Sequence, residues 1–175
     1  AFAESNRGLK LPLSANDVYK ALAATPFGKP QTAKTWRDVN PALPAEPIKV
    51  YGPPSTSGTR DALAELTALY DLDATARAAA HCGVEVLVVA GDVDPSMRAL
   101  AETKAADHKK ICTTVREDGA YVDAGENDNL IVQKIEADPK AVGIFGYSFL
   151  EENKDKLLAN TLNGVAPTYA TISNF

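Results

Sequence analysis

The sequence predicts an α/β fold, a mixed sheet flanked by helices, on three observations. Pro47, Ile48, Lys49, Val50 and Tyr51 alternate apolar and polar as a strand does, and Leu63, Leu66, Leu69 and Tyr70 follow at helical spacing. The alternation continues downstream, where a helix carrying Leu130, Ile131 and Ile135 precedes the strand from Ala141 to Tyr147. A chain of 175 residues with 45% hydrophobic content fits one domain and buries a sizeable core. Strands alternating with helices build a layered sheet whose ligand sites lie beyond the strand ends.

Each element has its own signal. Ser14 followed by Asp17 three positions on opens a helix that carries Val18, Tyr19 and Leu22 on one face, up to about Ala24. Residues 25–47 are loop-rich, with prolines at 26, 30, 41, 44 and 47, and hold the sole tryptophan, Trp36, which packs the loop down. After the helix that follows the strand at 47–51, Asp73 to Cys82 is alanine-rich and helix-forming. Val84 to Val89 reads as a buried strand or as a β-branched run packed under a loop. Met97 to Lys110 is charged and helix-forming, and Ile111 to Arg116 continues it.

Asp118-Gly119 marks a turn, Ala120 to Val122 a short strand, and Gly125 to Asp128 a turn with a cap. The next helix points Leu130, Ile131 and Ile135 inward and ends before Pro139. Ala141 to Tyr147 is a strand with two glycines, and Ser148 caps a helix that runs through Glu151, Lys154, Leu157 and Leu158. Thr161 to Val165 and Tyr169 to Ile172 are strand-like.

Between the strand at 47–51 and its helix lies Gly52-Pro53-Pro54-Ser55-Thr56-Ser57-Gly58-Thr59-Arg60-Asp61. A helix start leaves its first N–H groups unpaired and carries partial positive charge, so Gly58, Thr59 and Arg60 can aim donors at one oxyanion. The hydroxyls of Thr56, Ser57 and Thr59 add to them, and Gly58, lacking a Cβ, permits an unusual backbone angle and close approach of a ligand. The plainer alternative makes Ser57 only a helix cap, worth ~1 kcal/mol and nothing else. Arg60 argues against that alternative, since a cation in the first turn opposes the helix dipole and calls for an anion, either a ligand or Asp61. A nucleotide P-loop needs four residues between its glycines and then Lys-Ser/Thr, whereas five separate Gly52 from Gly58 and Thr59-Arg60 follows. Neither Ser55 nor Ser57 stands in a Gly-x-Ser-x-Gly frame. Binding is favoured over catalysis.

The formal charge of -5 argues against nucleic acid or an anionic membrane as main partner. The longest apolar run, Val86 to Ala90, is far short of the ~20 residues a bilayer needs. The opening Ala1-Phe2-Ala3-Glu4 lacks the features of a signal peptide and does not begin with Met, and both ends read as strand pieces. The expectation is a processed or excised chain with a missing neighbour. His81 and His108 are the only histidines, and no Cys/His spacing suits zinc, so neither metal nor cofactor is expected. Asp92 and Asp94 read as loop and cap residues without chemistry. Cys82 and Cys112 are a disulfide or two buried thiols; joined without strain, they stabilise the fold by ~3 to 4 kcal/mol in the chain-entropy model.

Four linked stretches carry a resemblance: Thr56 to Asp61, Arg116 to Tyr121, Gly125 to Asn129 and Gly143 to Phe149. Over nearly its whole length the chain resembles the phosphate-binding proteins of bacterial phosphate ABC transporters, a family of periplasmic solute-binding proteins with the type II fold. The resemblance covers the second lobe only. It implies inorganic phosphate as ligand, a closing first lobe and a transporter permease as partners, an exported protein, and Ser57, Gly58 and Thr59 on the phosphate. The arginine that many members carry four residues before the serine is Pro53 here, and Arg60 is the candidate substitute. The acceptor carboxylate of the family's first lobe has no counterpart, which implies weak selectivity in this chain alone. An isolated lobe is expected to dimerise or swap segments to cover its exposed face. The other readings are a phosphate-ester or nucleotide-binding enzyme domain, and a structural descendant that no longer binds.

Overall fold

The computed structural model describes residues 1–60, 110–111 and 113–172. Five strands, β1 (Phe2–Ser5), β2 (Val50–Gly52), β3 (Tyr121–Asp123), β4 (Val142–Ile144) and β5 (Leu157–Ala159), form one sheet in the order β3-β2-β4-β1-β5. β2 lies parallel to both β3 and β4, and β1 runs antiparallel between β4 and β5. The sheet is therefore mixed, as the alternation of elements predicts. It is covered on both faces because successive side chains of a strand point to opposite sides.

One face carries Val50, Tyr121, Val142 and Ile144 against α1 (Ala15–Leu22) and α2 (Trp36–Val39), with Val18, Leu22, Trp36 and Val39 filling the space. The other carries Ala3 beneath α3 (Asp128–Ala137) and α4 (Tyr147–Glu152), packed through Ile131, Val132, Ile135 and Leu150. Gly143 makes the second layer possible, since a Cβ there would stand 3.0 Å from the Ile135 side chain.

α1 starts as its sequence predicts. The Ser14 hydroxyl accepts from the Asp17 amide at 3.0 Å, and the Asp17 carboxylate accepts from the Ser14 amide at 3.0 Å. Thr35 and Asp38 repeat this reciprocal cap at the head of α2, inside the stretch read as loop, and deliver Trp36 to the core at 1% exposure.

Several boundaries differ from the sequence expectation. Leu130 is 43% exposed rather than inward, because α3 aims Ile131, Val132 and Ile135 at the sheet. Gly146, not Ser148, occupies the cap position of α4, and the helix ends at Glu152. Asn153 stops it by turning its side-chain amide onto the Phe149 carbonyl at 2.7 Å, and Leu157 and Leu158 then pair with β1 as β5. Residues 162–165 form a tight turn with Asn163 (φ 51°) and Gly164 (φ 76°) in the left-handed region. The strand expected at Tyr169–Ile172 is a short helix, α5, which Thr168 and Thr171 cap reciprocally. Residues 110, 111 and 113 are helical, but Val115 leaves the helix to bridge Ala23. The expected elements at 61–70, 73–82, 84–89 and 97–109 lie outside the described residues.

Candidate functional site

Three parallel strands, β2, β3 and β4, end on the same edge of the sheet, where their following loops gather. The loop after β2 holds the hydroxyl cluster. The Pro54 carbonyl accepts from the Ser57 amide at 3.0 Å, which turns the chain, and residues 58–60 are helical. Ser57 caps that start: its hydroxyl oxygen accepts from the Thr59 amide at 3.2 Å. Gly58 and Thr59 are exposed beyond it. Gly58 does not use the left-handed region, so only the close-approach half of its sequence argument applies; a Cβ there would meet nothing within 4 Å.

Thr56 donates its hydroxyl to the Glu126 carboxylate at 2.8 Å, tying the loop after β2 to the loop after β3. The two loops are also joined by the Ala124 amide, which donates to the Gly52 carbonyl at 2.9 Å. Beside them the Gly146 amide donates to the Asp128 carboxylate at 3.0 Å, which fixes the loop after β4 to the head of α3.

Pro53, at the position of the arginine implied by the resemblance, is fully buried, and its carbonyl accepts from the Tyr121 hydroxyl at 2.6 Å. The Arg60 guanidinium lies over the Tyr121 ring, 4.8 Å from its centroid. Burial pushes the Tyr121 hydroxyl up to about 12, although the nearby Arg60 charge pulls the other way. Gly52 leaves room for that hydroxyl, since a Cβ at position 52 would stand 2.2 Å from it.

The structure thus places Thr56, Ser57, Gly58, Thr59 and Arg60 on one loop at the sheet edge. It adds Tyr121 and Glu126, to which the sequence analysis gives no role. The signal for Tyr121 is a glycine two residues along the neighbouring strand from its partner Val50, a gap a ring can fill, but only the strand register reveals it. Cys82, Cys112, His81, His108, Asp92 and Asp94 lie outside the described residues. Among the described residues, no group of three His, Cys, Asp or Glu side chains is placed to hold a metal ion. What the loop offers is hydroxyls, backbone N–H groups and one guanidinium, a donor set suited to an oxyanion.

A family model described as PBP superfamily domain matches residues 2–174. The chain belongs to that family. Among relatives of this PBP superfamily chain is the phosphate-binding protein PstS of Staphylococcus saprophyticus, 30% identical over 71% of this chain and 24% of its own length. The protein SphX of Synechococcus elongatus is 29% identical over 82% of this chain and 30% of its own. The chain therefore spans about a quarter to a third of these curated relatives. In fold, it is similar to the crystal structure of a possible phosphate binding protein from Planctomyces limnophilus, with a TM-score of 0.62 at 22% identity, covering 99% of this chain and 46% of that one. PstS from Borrelia burgdorferi aligns with a TM-score of 0.57 at 16% identity, over 99% of this chain and 50% of that one. The PBP superfamily fold is thus shared by chains about twice as long.

Proposed function

We propose that this chain binds inorganic phosphate through Ser57, Gly58 and Thr59, with Thr56 and Arg60 beside them, as one lobe of a solute-binding protein serving an ABC-type phosphate transporter. The observation that carries the reading is the Ser57-capped helix start at the carboxyl end of β2, in a chain whose relatives include phosphate-binding proteins. The Thr56 hydroxyl and the amides of Ser57 and Thr59 already donate within the protein, and the Gly58 amide with the Ser57 and Thr59 hydroxyls are the donors that suit a tetrahedral oxyanion. The coverage of about half of each solved neighbour supports the lobe reading. A second lobe closing over the loop would exclude water and strengthen every one of these bonds.

A protein with this role works outside the cytoplasm, and an oxidising compartment permits Cys82 and Cys112 to join. Among the described residues, no helix is long and apolar enough to cross a membrane. The reading is binding rather than catalysis, and a transporter permease is the downstream partner. The lobe alone is proposed to self-associate through the face that its neighbour would cover.

Isothermal titration of phosphate into the chain, with sulfate as control, tests the reading. Heat with phosphate that disappears in the Thr59→Val, Arg60→Ala double variant places the anion on this loop. Heat that survives in the double variant moves the site elsewhere, and absence of heat in the unaltered chain overturns binding by this lobe alone.

A further inference from the structure

We propose that Tyr121 is the positioning residue of the anion loop, holding Pro53 at one end and the Arg60 guanidinium at the other so that Arg60 meets the bound oxyanion. The inference rests on the phosphate reading above. Pro53 and Arg60 bracket the residues that bear the hydroxyls, and both are in contact with this one side chain: the hydroxyl donates to the Pro53 carbonyl at 2.6 Å, and the ring centroid lies 4.8 Å from the Arg60 guanidinium. Tyr121 is itself fixed, being 7% exposed and paired with Val50 in the sheet. Gly52 keeps the space open, since any side chain there would displace the tyrosine hydroxyl.

An arginine on a free helical turn samples many rotamers, and confining it on binding costs affinity. Laying its flat face on an aromatic ring removes that freedom beforehand and leaves N–H donors along its edge for an anion. With proline at position 53, Arg60 is the cation available on residues 53–60.

Calorimetric titration of inorganic phosphate into the unaltered chain and into Arg60→Ala, Tyr121→Leu, Tyr121→Phe and the Tyr121→Leu, Arg60→Ala pair tests this. Arg60→Ala is expected to weaken binding ~10-fold, the value of one charge-assisted hydrogen bond. Tyr121→Leu is expected to do the same, and the pair to lose ~10-fold rather than the ~100-fold that independent sites would give. Tyr121→Phe keeps the ring under Arg60 but loses the bond to Pro53, and is expected to weaken binding by less than Tyr121→Leu does. Multiplying losses in the pair overturn the inference. So does unaltered affinity in Arg60→Ala, which leaves the phosphate reading standing, whereas absence of binding in the unaltered chain overturns both.

The Arg60 Nε–H resonance reads the same contact without the leucine variant. It is expected to be ring-shifted in the unaltered chain and in Tyr121→Phe, and to move when phosphate is added. A resonance that phosphate leaves in place overturns the inference.

Discussion

Gly58 shows how little of the loop's mouth the protein itself fills, since a Cβ there would meet no atom within 4 Å. Gly58→Ala is therefore expected to change stability by less than ~1 kcal/mol, with alanine the better helix former. Phosphate affinity is expected to fall, because a bound anion is what the new methyl would meet; calorimetry and a urea melt on one sample separate the two effects, and undiminished affinity takes Gly58 out of the site. Tyr121 gives a prediction in pH. Its folded value, pushed up to about 12, lies above the ordinary tyrosine value of 10.0, so the native state keeps its proton after the unfolded chain has lost it. Stability from this group is whole below pH 10 and declines from there to about pH 12, by up to ~1.4 kcal/mol per unit. Tyr121→Phe is expected to flatten that part of the stability profile, measured by urea unfolding at stepped pH, and an unchanged slope would contradict it. At this scale the Ser57 cap was legible because a helix start is written in adjacent residues. The ring under Arg60 was not, because residues 60 and 121 meet only through strand pairing.

At the scale of elements, β1 depends on a carboxylate that it carries into the core. Glu4 is fully buried and accepts from the amides of Leu9 at 2.8 Å, Lys10 at 3.2 Å and Leu11 at 2.9 Å, and from the Asn160 side chain. Glu4→Ala leaves three backbone donors and an amide without their acceptor, and is expected to cost ~3 kcal/mol by chemical denaturation. A loss below ~1 kcal/mol would mean that water replaces the carboxylate at little cost. The capping boxes divide the legible elements from the rest. Ser14 with Asp17 stands before a plain apolar periodicity, and α1 follows from it, whereas Thr35 with Asp38 is the same device hidden among prolines. Leu157 and Leu158 continue the helical spacing of Leu150, yet Asn153 closes the helix and β1 claims them as a strand. Local pattern loses there to a partner more than 150 residues away, as in Ala3 opposite Ala159.

For the molecule as a whole, the mixed sheet and its loop-bearing edge were readable because alternating strands and helices leave few arrangements, and because loops after parallel strands gather at one end. Which face a neighbour would cover was not, since a single chain's pattern does not mark it. Tyr169, 79% exposed, and Val165, 47% exposed, are large apolar groups left to solvent. The chain alone is expected to dimerise at high concentration, read by light scattering, and a monomeric mass throughout would remove that proposal. The position of β1 has a kinetic consequence. This strand lies inside the sheet, yet both its partners come from the far end of the chain, Ile144 opposite Phe2 and Leu157 opposite Ser5. Residues 2–5 have nothing to pair with in the sheet until residues 142–159 have been made. Contacts so distant in sequence make folding slow, on the order of milliseconds to seconds, and leave β1 unpaired through the making of everything between.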